Sequence, residues 1–471
     1  MSALARIWTN PTLASSKRLR LALDCSVACL LFWGTHAVYR GSTGHIQNCD
    51  SVYSLAVSEK ILTDGTVNLT GSVPADRELP YQLLRHNKPG QSGSPPAVYY
   101  GYPLGSSILS LPFVQNVGLR RGLSIFHADG QVNFAIEDLL QMKIASTVSA
   151  LIVVLFYAMC RFTCSPLVSL LIAVGFAFGS PVWSTLSRSL WSHTWMVAFL
   201  SGAIVLILAR KRIERPTWRT DLAFGTLLGT ALFWVLFTRA HGIFSVAAIG
   251  LYLLLHHRRL LLVTVSTGSV WTLGFIALSL HLFGTLTPPS VYNADTIDGR
   301  GVLNRFAWLM VSPSRGLLIF CPYLLVVLGM LVAFRKRLVD ASLLLPAAVA
   351  IASHTLLFSC YDGWHMGSSY GPRYFSDLLP WFVLSTAIAV NGARNAGVSW
   401  QKWLAIVLLV ACFGWGGFVH SRGANSMRAW LWNWRAIAVG QELAVKDWRH
   451  PQFLSGISFE VKPDGSIVEK P

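Results

Sequence analysis

The sequence predicts an all-α polytopic membrane protein of about 11 transmembrane helices, with a long first outer loop that carries interfacial helices. Two observations point there first. Hydrophobic residues make up 53% of the 471-residue chain and charged residues only 13%, about half the roughly 25% charged residues of a soluble domain. Uncharged runs such as LLPAAVAIASHTLLF and WLAIVLLVACFGWGGFV recur along the chain, and runs of that length read as spans. The mean hydropathy of +0.50 agrees.

The elements follow in order. The first span covers 19–39, behind Lys17, Arg18 and Arg20, and no small-residue cleavage site follows it, so it reads as a retained helix. A long loop then runs from about residue 40 to 138. Within it YGYPLGSSILSLPFVQNVGL, 100–119, is apolar enough to span, yet counting it as a span would put Arg210 to Arg219 on the outer face. It therefore reads as an interfacial or re-entrant helix, whose Pro and Gly need protein or a cavity around them. Further spans fall at 139–160, 166–183, 194–209, 220–238, 243–256, 260–283, 315–334, 341–359, 374–391 and 403–420. Several are shorter than the roughly 20 residues of an untilted span.

Basic clusters orient the chain. Arg210, Lys211, Arg212, Arg215 and Arg219, then Arg258 with Arg259, then Arg335, Lys336 and Arg337, then Arg394 and Lys402 all fall on one face if the first span leaves from inside. That face is cytoplasmic by the positive-inside rule. The expectation is a bacterial inner (plasma) membrane protein with its N-terminus in the cytoplasm and its C-terminus outside. Residues 1–420 then form the transmembrane domain, and 421–471 an outer-face tail. The tail holds Trp430, Trp432, Trp434 and Trp448. Some fifty residues build no large core, so the tail is expected along the interface, where Trp favours the headgroups.

The net charge of +17 does not indicate nucleic acid as a partner. The basic residues sit in short clusters between apolar runs, the pattern of contacts with membrane lipid headgroups, and no basic helix interleaves with stacking aromatics. The eight Cys form no metal pattern. No cofactor is required, and nothing supports a divalent cation. Cys49 and Cys360 both fall at predicted outer helix ends, which leaves a disulfide open.

The polar chemistry gathers on the outer side. Asp50 follows the first span by about ten residues and has two readings. It caps a helix over Ser51 to Lys60, or it is a carboxylate at the membrane surface able to take a proton from an attacking group. Between the third and fourth spans, SPVWSTLSRSLWSHTW brings Arg188 and His193 to the same side. Arg239 in FTRAHG lies between apolar runs, where a charge tends to mark a functional site. Arg315 in SPSRGLL is expected to open a helix, whose free N–H groups and guanidinium would suit a phosphate. The densest stretch is YDGWHMGSSYGPRY, 361–374. Its glycines allow close backbone approach, Trp364 and Tyr370 offer flat faces, Asp362 an acid, and Arg373 a two-pronged phosphate ligand. The substrate-binding candidates are Tyr53, His193, Asp362, Trp364, His365 and Tyr370. The donor-phosphate candidates are Arg373, Arg239 and Arg315.

This order of features resembles the GT-C superfamily of integral-membrane glycosyltransferases, which includes protein O-mannosyltransferase-like and aminoarabinose-transferase-like enzymes. The matching parts are the early acid Asp50, YYGYPLGSSILSLPF, SPVWSTLSRSLWSHTW, SPSRGLL and, most sharply, GWHMGSSYGPRYFSDLLP. A departure is His193, where many relatives carry an acid. The resemblance implies a GT-C-like fold and transfer of a sugar from a polyprenyl-phosphate donor to a lipid, glycan or protein acceptor on the outer face, with Asp50 as the catalytic base. The alternative is a transporter or flippase of lipid-linked sugars.

Overall fold

Where an uncharged run lies away from water, the backbone has only itself to bond, and all but two of the predicted apolar spans are continuous or nearly continuous helix. The computed structural model describes residues 17–44, 49–73, 78–89, 95–290, 297–396 and 400–470; the N-terminus itself lies outside the described residues. The helices are α1 Lys17–Gly41, α2 Ser54–Asp64, α3 Gly105–Phe113, α4 Phe134–Arg161, α5 Pro166–Phe178, α6 Ser192–Lys211, α7 Trp218–Thr238, α8 Ile243–His256, α9 Arg258–Phe283, α10 Val302–Val311, α11 Leu317–Phe320, α12 Tyr323–Ala333, α13 Leu344–Ser359, α14 Leu379–Arg394, α15 Trp400–Asn425, α16 Met427–Val439 and α17 Gln441–Lys446. Two small antiparallel hairpins complete the fold. In one, β1 (Leu83–His86) pairs with β2 (Ala97–Tyr100), Leu83 opposite Tyr100. In the other, β3 (Phe459–Val461) pairs with β4 (Ile467–Glu469).

Among the described residues, seven helices are long and apolar enough to cross a membrane: α1, α4, α6, α7, α9, α13 with its preceding turn, and α15. The architecture is that of an all-α polytopic membrane protein. Shorter apolar helices include α5, α8, α10 and α12.

Two predicted spans take a different form. The run 315–334 is broken, because Pro322 cannot continue a helix and drives Cys321 out of it. Four residues of α11 precede the break and α12 follows it. The run 374–391 opens as a 3-10 segment, Arg373–Leu378, before α14 begins with Pro380 in its first turn. From Leu379 to Ala389 every residue of α14 is buried, as expected of a helix without a polar face. It packs against α12, α13, α4, α5 and α6, so its leading segment stands over the middle of the bundle.

Contacts sort the helix ends into two groups that match the alternation predicted from charge. At one end Arg161 pairs with Asp24 at 2.7 Å, Lys211 with Asp340 at 2.6 Å, and Arg337 donates to the Asn395 carbonyl at 2.6 Å. At the other end Tyr39 Oη donates to the Ala177 carbonyl at 2.9 Å, and the Gly44 N–H to that of Ala424 at 2.8 Å. The long loop, the Arg373 segment and the tail all lie at this second end.

The segment expected as an interfacial or re-entrant helix is α3, extended by a π turn over Val114–Gly118. It packs against α2, α6 and α7. A Cβ at Gly105 would come within 2.5 Å of the Phe237 carbonyl oxygen, so only glycine lets α3 meet the end of α7. Two of the tail indoles expected at the headgroups are instead inside the protein. Trp430 and Trp432 are buried in the protein, and of the four tail indoles only Trp448 is well exposed. Polar anchors achieve what a small core cannot. Arg422 donates to the carbonyls of Phe453 at 3.1 Å and Ser455 at 2.6 Å, and Ser312 Oγ to that of Val445 at 2.6 Å.

The sorting of ends has a direct check. A reporter fused after Arg337 is expected to read cytoplasmic and one after Ser421 periplasmic; the same compartment for both would overturn it.

Candidate functional site

The site begins with the turn after α1, which many groups hold. Gln82 Nε2 donates to the Cys49 carbonyl at 3.0 Å, and Tyr100 Oη to that of Asp50 at 2.5 Å. Gln141 accepts from Ser51 Oγ at 2.6 Å and returns Nε2 to the Ser51 carbonyl at 2.9 Å. Tyr53 is driven to φ 74°, a strained conformation for a bulky residue. Asp50 does not cap the next helix. That helix, α2, starts at Ser54, and the buried Glu137 of α4 accepts the N–H groups of Tyr53 and Leu55, both at 3.1 Å. The Asp50 carboxylate is thereby left for other work.

The second part is the stretch 361–374. Met366 and Gly367 follow one another with positive φ, 67° and 59°, and Gly371 has φ 58°. A Cβ on Gly371 would lie 2.8 Å from the Phe320 ring, so glycine serves both turn and packing there. Arg315 holds this stretch from beneath. It is fully buried and donates to the carbonyls of His365 at 3.1 Å, Gly367 at 3.2 Å and Ser314 at 2.9 Å, to Asn433 Oδ1 at 3.2 Å, and to Gln452 Oε1. Gln452 Oε1 also accepts the Gly371 N–H at 3.3 Å, while its Nε2 donates to the carbonyls of Ser369 at 2.9 Å and Ala429 at 3.1 Å. One amide therefore joins the stretch, the Arg315 turn and the tail.

Between these parts opens a cavity of about 560 Å³, within the range of small-ligand sites. Asp50, Tyr81, Trp191, His365 and Arg373 line one side, and the tail lines the other. Arg373 Nη1 donates to Asp50 Oδ2 at 2.8 Å, and its guanidinium lies 4.3 Å from the Trp191 ring centroid. The Arg373 side chain is 9% exposed and that of Asp50 is 30% exposed, so the carboxylate faces the opening. Burial pulls the Arg373 pKa down, but Asp50, Tyr374 and Tyr102 outweigh it, and the pKa stands above its ordinary value. Arg373 Nε and Trp191 Nε1 are buried without a hydrogen-bond partner among the described residues.

Burial, then the Arg315 charge, lowers His365 to about 4, so it is neutral at pH 7. Its Nδ1 accepts the Gly367 N–H at 3.3 Å, which protonation would forfeit. The stabilisation it represents is complete above the ordinary value of 6.5 and is lost as the pH falls toward 4.

Behind Arg373 lies a buried network. Asp377 accepts Arg239 Nε at 2.6 Å on one oxygen and meets His193 Nδ1 at 2.7 Å on the other. Asp377 sits four residues past Arg373 in the same 3-10 segment, so the network anchors the Arg373 backbone to α6 and to the start of α8.

Of the residues expected at the site, Asp50, His365 and Arg373 meet in one cavity. The others stand elsewhere. The Arg239 guanidinium is turned to Asp377 and Ser192. Arg315 does not open a helix: Ser312 Oγ accepts the N–H groups of Ser314 and Arg315 at 3.2 and 3.0 Å, and α11 begins two residues later. Tyr53 packs on Phe134 with ring centroids 5.5 Å apart. Trp364 is buried, with Lys446 Nζ 5.5 Å from its ring centroid. Tyr370 is buried and donates to the Val419 carbonyl at 2.6 Å. Asp362 is at the surface, bonded to Arg305 at 2.7 Å. Cys49 and Cys360 are both free, and no group of three or more metal-ligating side chains occurs among the described residues.

Sequence reasoning did not single out Trp191, Tyr81, Glu137, Gln141, Asp377 or Gln452. Trp191 lies inside the quoted SPVWSTLSRSLWSHTW, three residues beyond Arg188; Gln452 carries no local sign. No family model matches the chain, and no curated protein does.

Replacing Gln452 with Ala would orphan groups on three segments at once. The expected loss of stability is on the order of 3 kcal/mol. Gln452→Glu, which restores an acceptor for Arg315 but no donors for Ser369 and Ala429, should fall between. Unfolding of the purified variants measures both, and a neutral Gln452→Ala would remove Gln452 from this role.

Proposed function

We propose that the protein is a GT-C-type glycosyltransferase acting at the outer face of the membrane, with eleven spans and its C-terminus outside. Its donor is a sugar linked to a polyprenyl phosphate, and its acceptor a lipid, glycan or protein. The observation that carries this reading is the Asp50–Arg373 pair at 2.8 Å in an aromatic-walled cavity at the helix ends.

The chemistry follows from those two groups. In the resting state Arg373 holds the Asp50 carboxylate in an ion pair. A donor phosphate offers the guanidinium two oxygens in place of one carboxylate hydrogen bond, and Arg373 Nε is a donor still to be used. Once Arg373 turns to the phosphate, Asp50 is released to take the proton of an acceptor hydroxyl or amine. The acceptor atom then bonds to the anomeric carbon as the carbon–oxygen bond to phosphate breaks. The electron pair leaves with the phosphate oxygen, where Arg373 stabilises the growing charge. Displacement of this kind inverts the anomeric centre.

Arg315 supports the reading from a distance. Its hydrogen bonds go to neutral oxygens, so no carboxylate cancels its charge. A fixed positive charge behind the cavity favours an anionic ligand.

The test is transfer from a polyprenyl-phosphate sugar by purified variants. Asp50→Asn keeps an oxygen for Arg373 but removes the counter-charge of a buried guanidinium, so it should lower stability by up to about 3 kcal/mol and, in the protein that remains folded, abolish transfer. Arg373→Lys keeps the charge but loses the fork. Losing a charge-assisted hydrogen bond of about 1.5–3 kcal/mol corresponds to roughly ten- to a hundredfold in rate. Full activity in either folded variant would overturn the assignment of that residue. Movement of a lipid-linked sugar across vesicles without any product would favour the transporter or flippase.

A further inference from the structure

About half of the cavity lining comes from the tail. Met427, Trp430, Leu431, Trp434 and Ile437 recur at spacings of three and four along α16 and line the cavity together, as one face of a helix does. The opposite face holds Ala429, Trp432 and Ala436, all buried against the protein. The helix is thus apolar on two sides; the cavity side packs at Trp430, against Tyr370 with ring centroids 5.7 Å apart, and is open toward Trp434 and Ile437. Along this side Trp430 is buried, while Met427 and Ile437 at its two ends are exposed.

The ends of the cavity differ in chemistry. At the Arg373 end, Arg373 Nε and Trp191 Nε1 are buried donors without a partner among the described residues, both side chains more than nine-tenths buried, and the guanidinium charge favours an anionic acceptor. At the tail end, Trp430 and Trp434 stand one helical turn apart, about 6 Å along the axis. Gln441 lines the same end, and its Oε1 is unpartnered. Flat apolar faces next to an amide acceptor suit a ring whose faces are C–H and whose edges are hydroxyl. The faces expected to serve from sequence, Trp364 and Tyr370, are buried outside this cavity.

We propose that α16 of the C-terminal tail is the sugar-selecting wall of the site. In this inference, which rests on the phosphate assignment of Arg373, the saccharide of a glycosyl phosphate packs against Trp434 beside Trp430, with a hydroxyl directed at Gln441. Phosphate binding is then the task of the transmembrane body, and recognition of the sugar that of the tail.

The test compares two probes on the full-length protein in nanodiscs by calorimetry: inorganic phosphate and glucose 1-phosphate. The wild type is expected to bind glucose 1-phosphate more tightly. Trp434→Ala should weaken glucose 1-phosphate about tenfold and leave inorganic phosphate unchanged. Trp434→Phe, which keeps a flat face, should recover most of the loss. Unchanged inorganic phosphate affinity also shows that the variant is folded. Equal affinity of the wild type for both probes, or a Trp434→Ala ratio equal to that of the wild type, overturns the sugar wall while leaving the phosphate assignment intact. Failure of the wild type to bind either probe overturns the phosphate assignment and the wall with it.

Discussion

A guanidinium removed from water must find acceptors, and four of them set the loop-bearing end of this protein. Arg188, Arg239, Arg315 and Arg373 are each 7% exposed or less. An unpaired buried charge costs several kcal/mol even after relaxation, comparable with the net stability of a whole domain, so each one dictates what surrounds it. Arg188 closes the C-terminal end of α1, donating to the carbonyls of Tyr39, Ser42 and Gly44, groups a helix end leaves without partners. Arg315 gathers carbonyls from the 361–374 stretch and side-chain oxygens from the tail. Arg239 takes Asp377, and Arg373 takes Asp50. The segments that need no other reason to meet are brought together by these demands.

The four are satisfied in different ways, and the differences divide scaffold from site. Arg188 donates to three carbonyls at the end of α1 and Arg315 to oxygens on separate segments, so no incoming ligand displaces either without orphaning backbone carbonyls. Arg239 shares its carboxylate with His193 in a fully buried network. Arg373 alone holds a single carboxylate hydrogen bond at a cavity wall and keeps Nε unused. It is the guanidinium whose partner is easiest to exchange. The rigidity around it serves that exchange, since Gln82, Tyr100 and Gln141 fix the Asp50 turn while the Asp377 network fixes the Arg373 segment. A site held to this degree loses little on binding through reorganisation.

Much of this was legible in the chain and much was not, for one physical reason. Helix formation and the alternation of basic ends depend on composition within some twenty residues, and they emerge as expected. Asp50 and Arg373, which meet in one cavity, stood out because a charge beside an apolar run is costly and therefore conspicuous. Pairings across the fold leave no such trace. Arg373 and Asp50 are 323 residues apart, and Arg315 and Gln452 are 137 apart; a glutamine in a polar tail looks the same whether it is a hub or a surface residue. Capping misleads for the same reason. A local rule assigns the start of α2 to Asp50, while the carboxylate that accepts its N–H groups arrives from α4. Trp364 and Tyr370 show the reverse error, since an aromatic near glycine suits a binding face and a core position equally well until the neighbour, here Gly423 beneath the Tyr370 ring, is known.

The tail follows from the same constraint. Arg315 requires oxygen atoms that the transmembrane helices do not have to spare, because their carbonyls are bonded within the helices. Gln452 and Asn433 supply side-chain oxygens from outside the bundle, and with them comes α16. Docking the tail, to which Arg422 and Ser312 also contribute, sets an indole-bearing face across from Arg373. The cavity therefore has one wall made by the helix bundle and the other by a segment held there through polar contacts. Two walls of separate origin vary independently. Substitutions along the cavity side of α16 alter what the cavity admits without disturbing Asp50 or Arg373, whereas the buried side of α16 is committed to Arg315 through Asn433 and Trp432. On the proposed reading, chemistry and selectivity are carried by different parts of the chain, joined at Arg315.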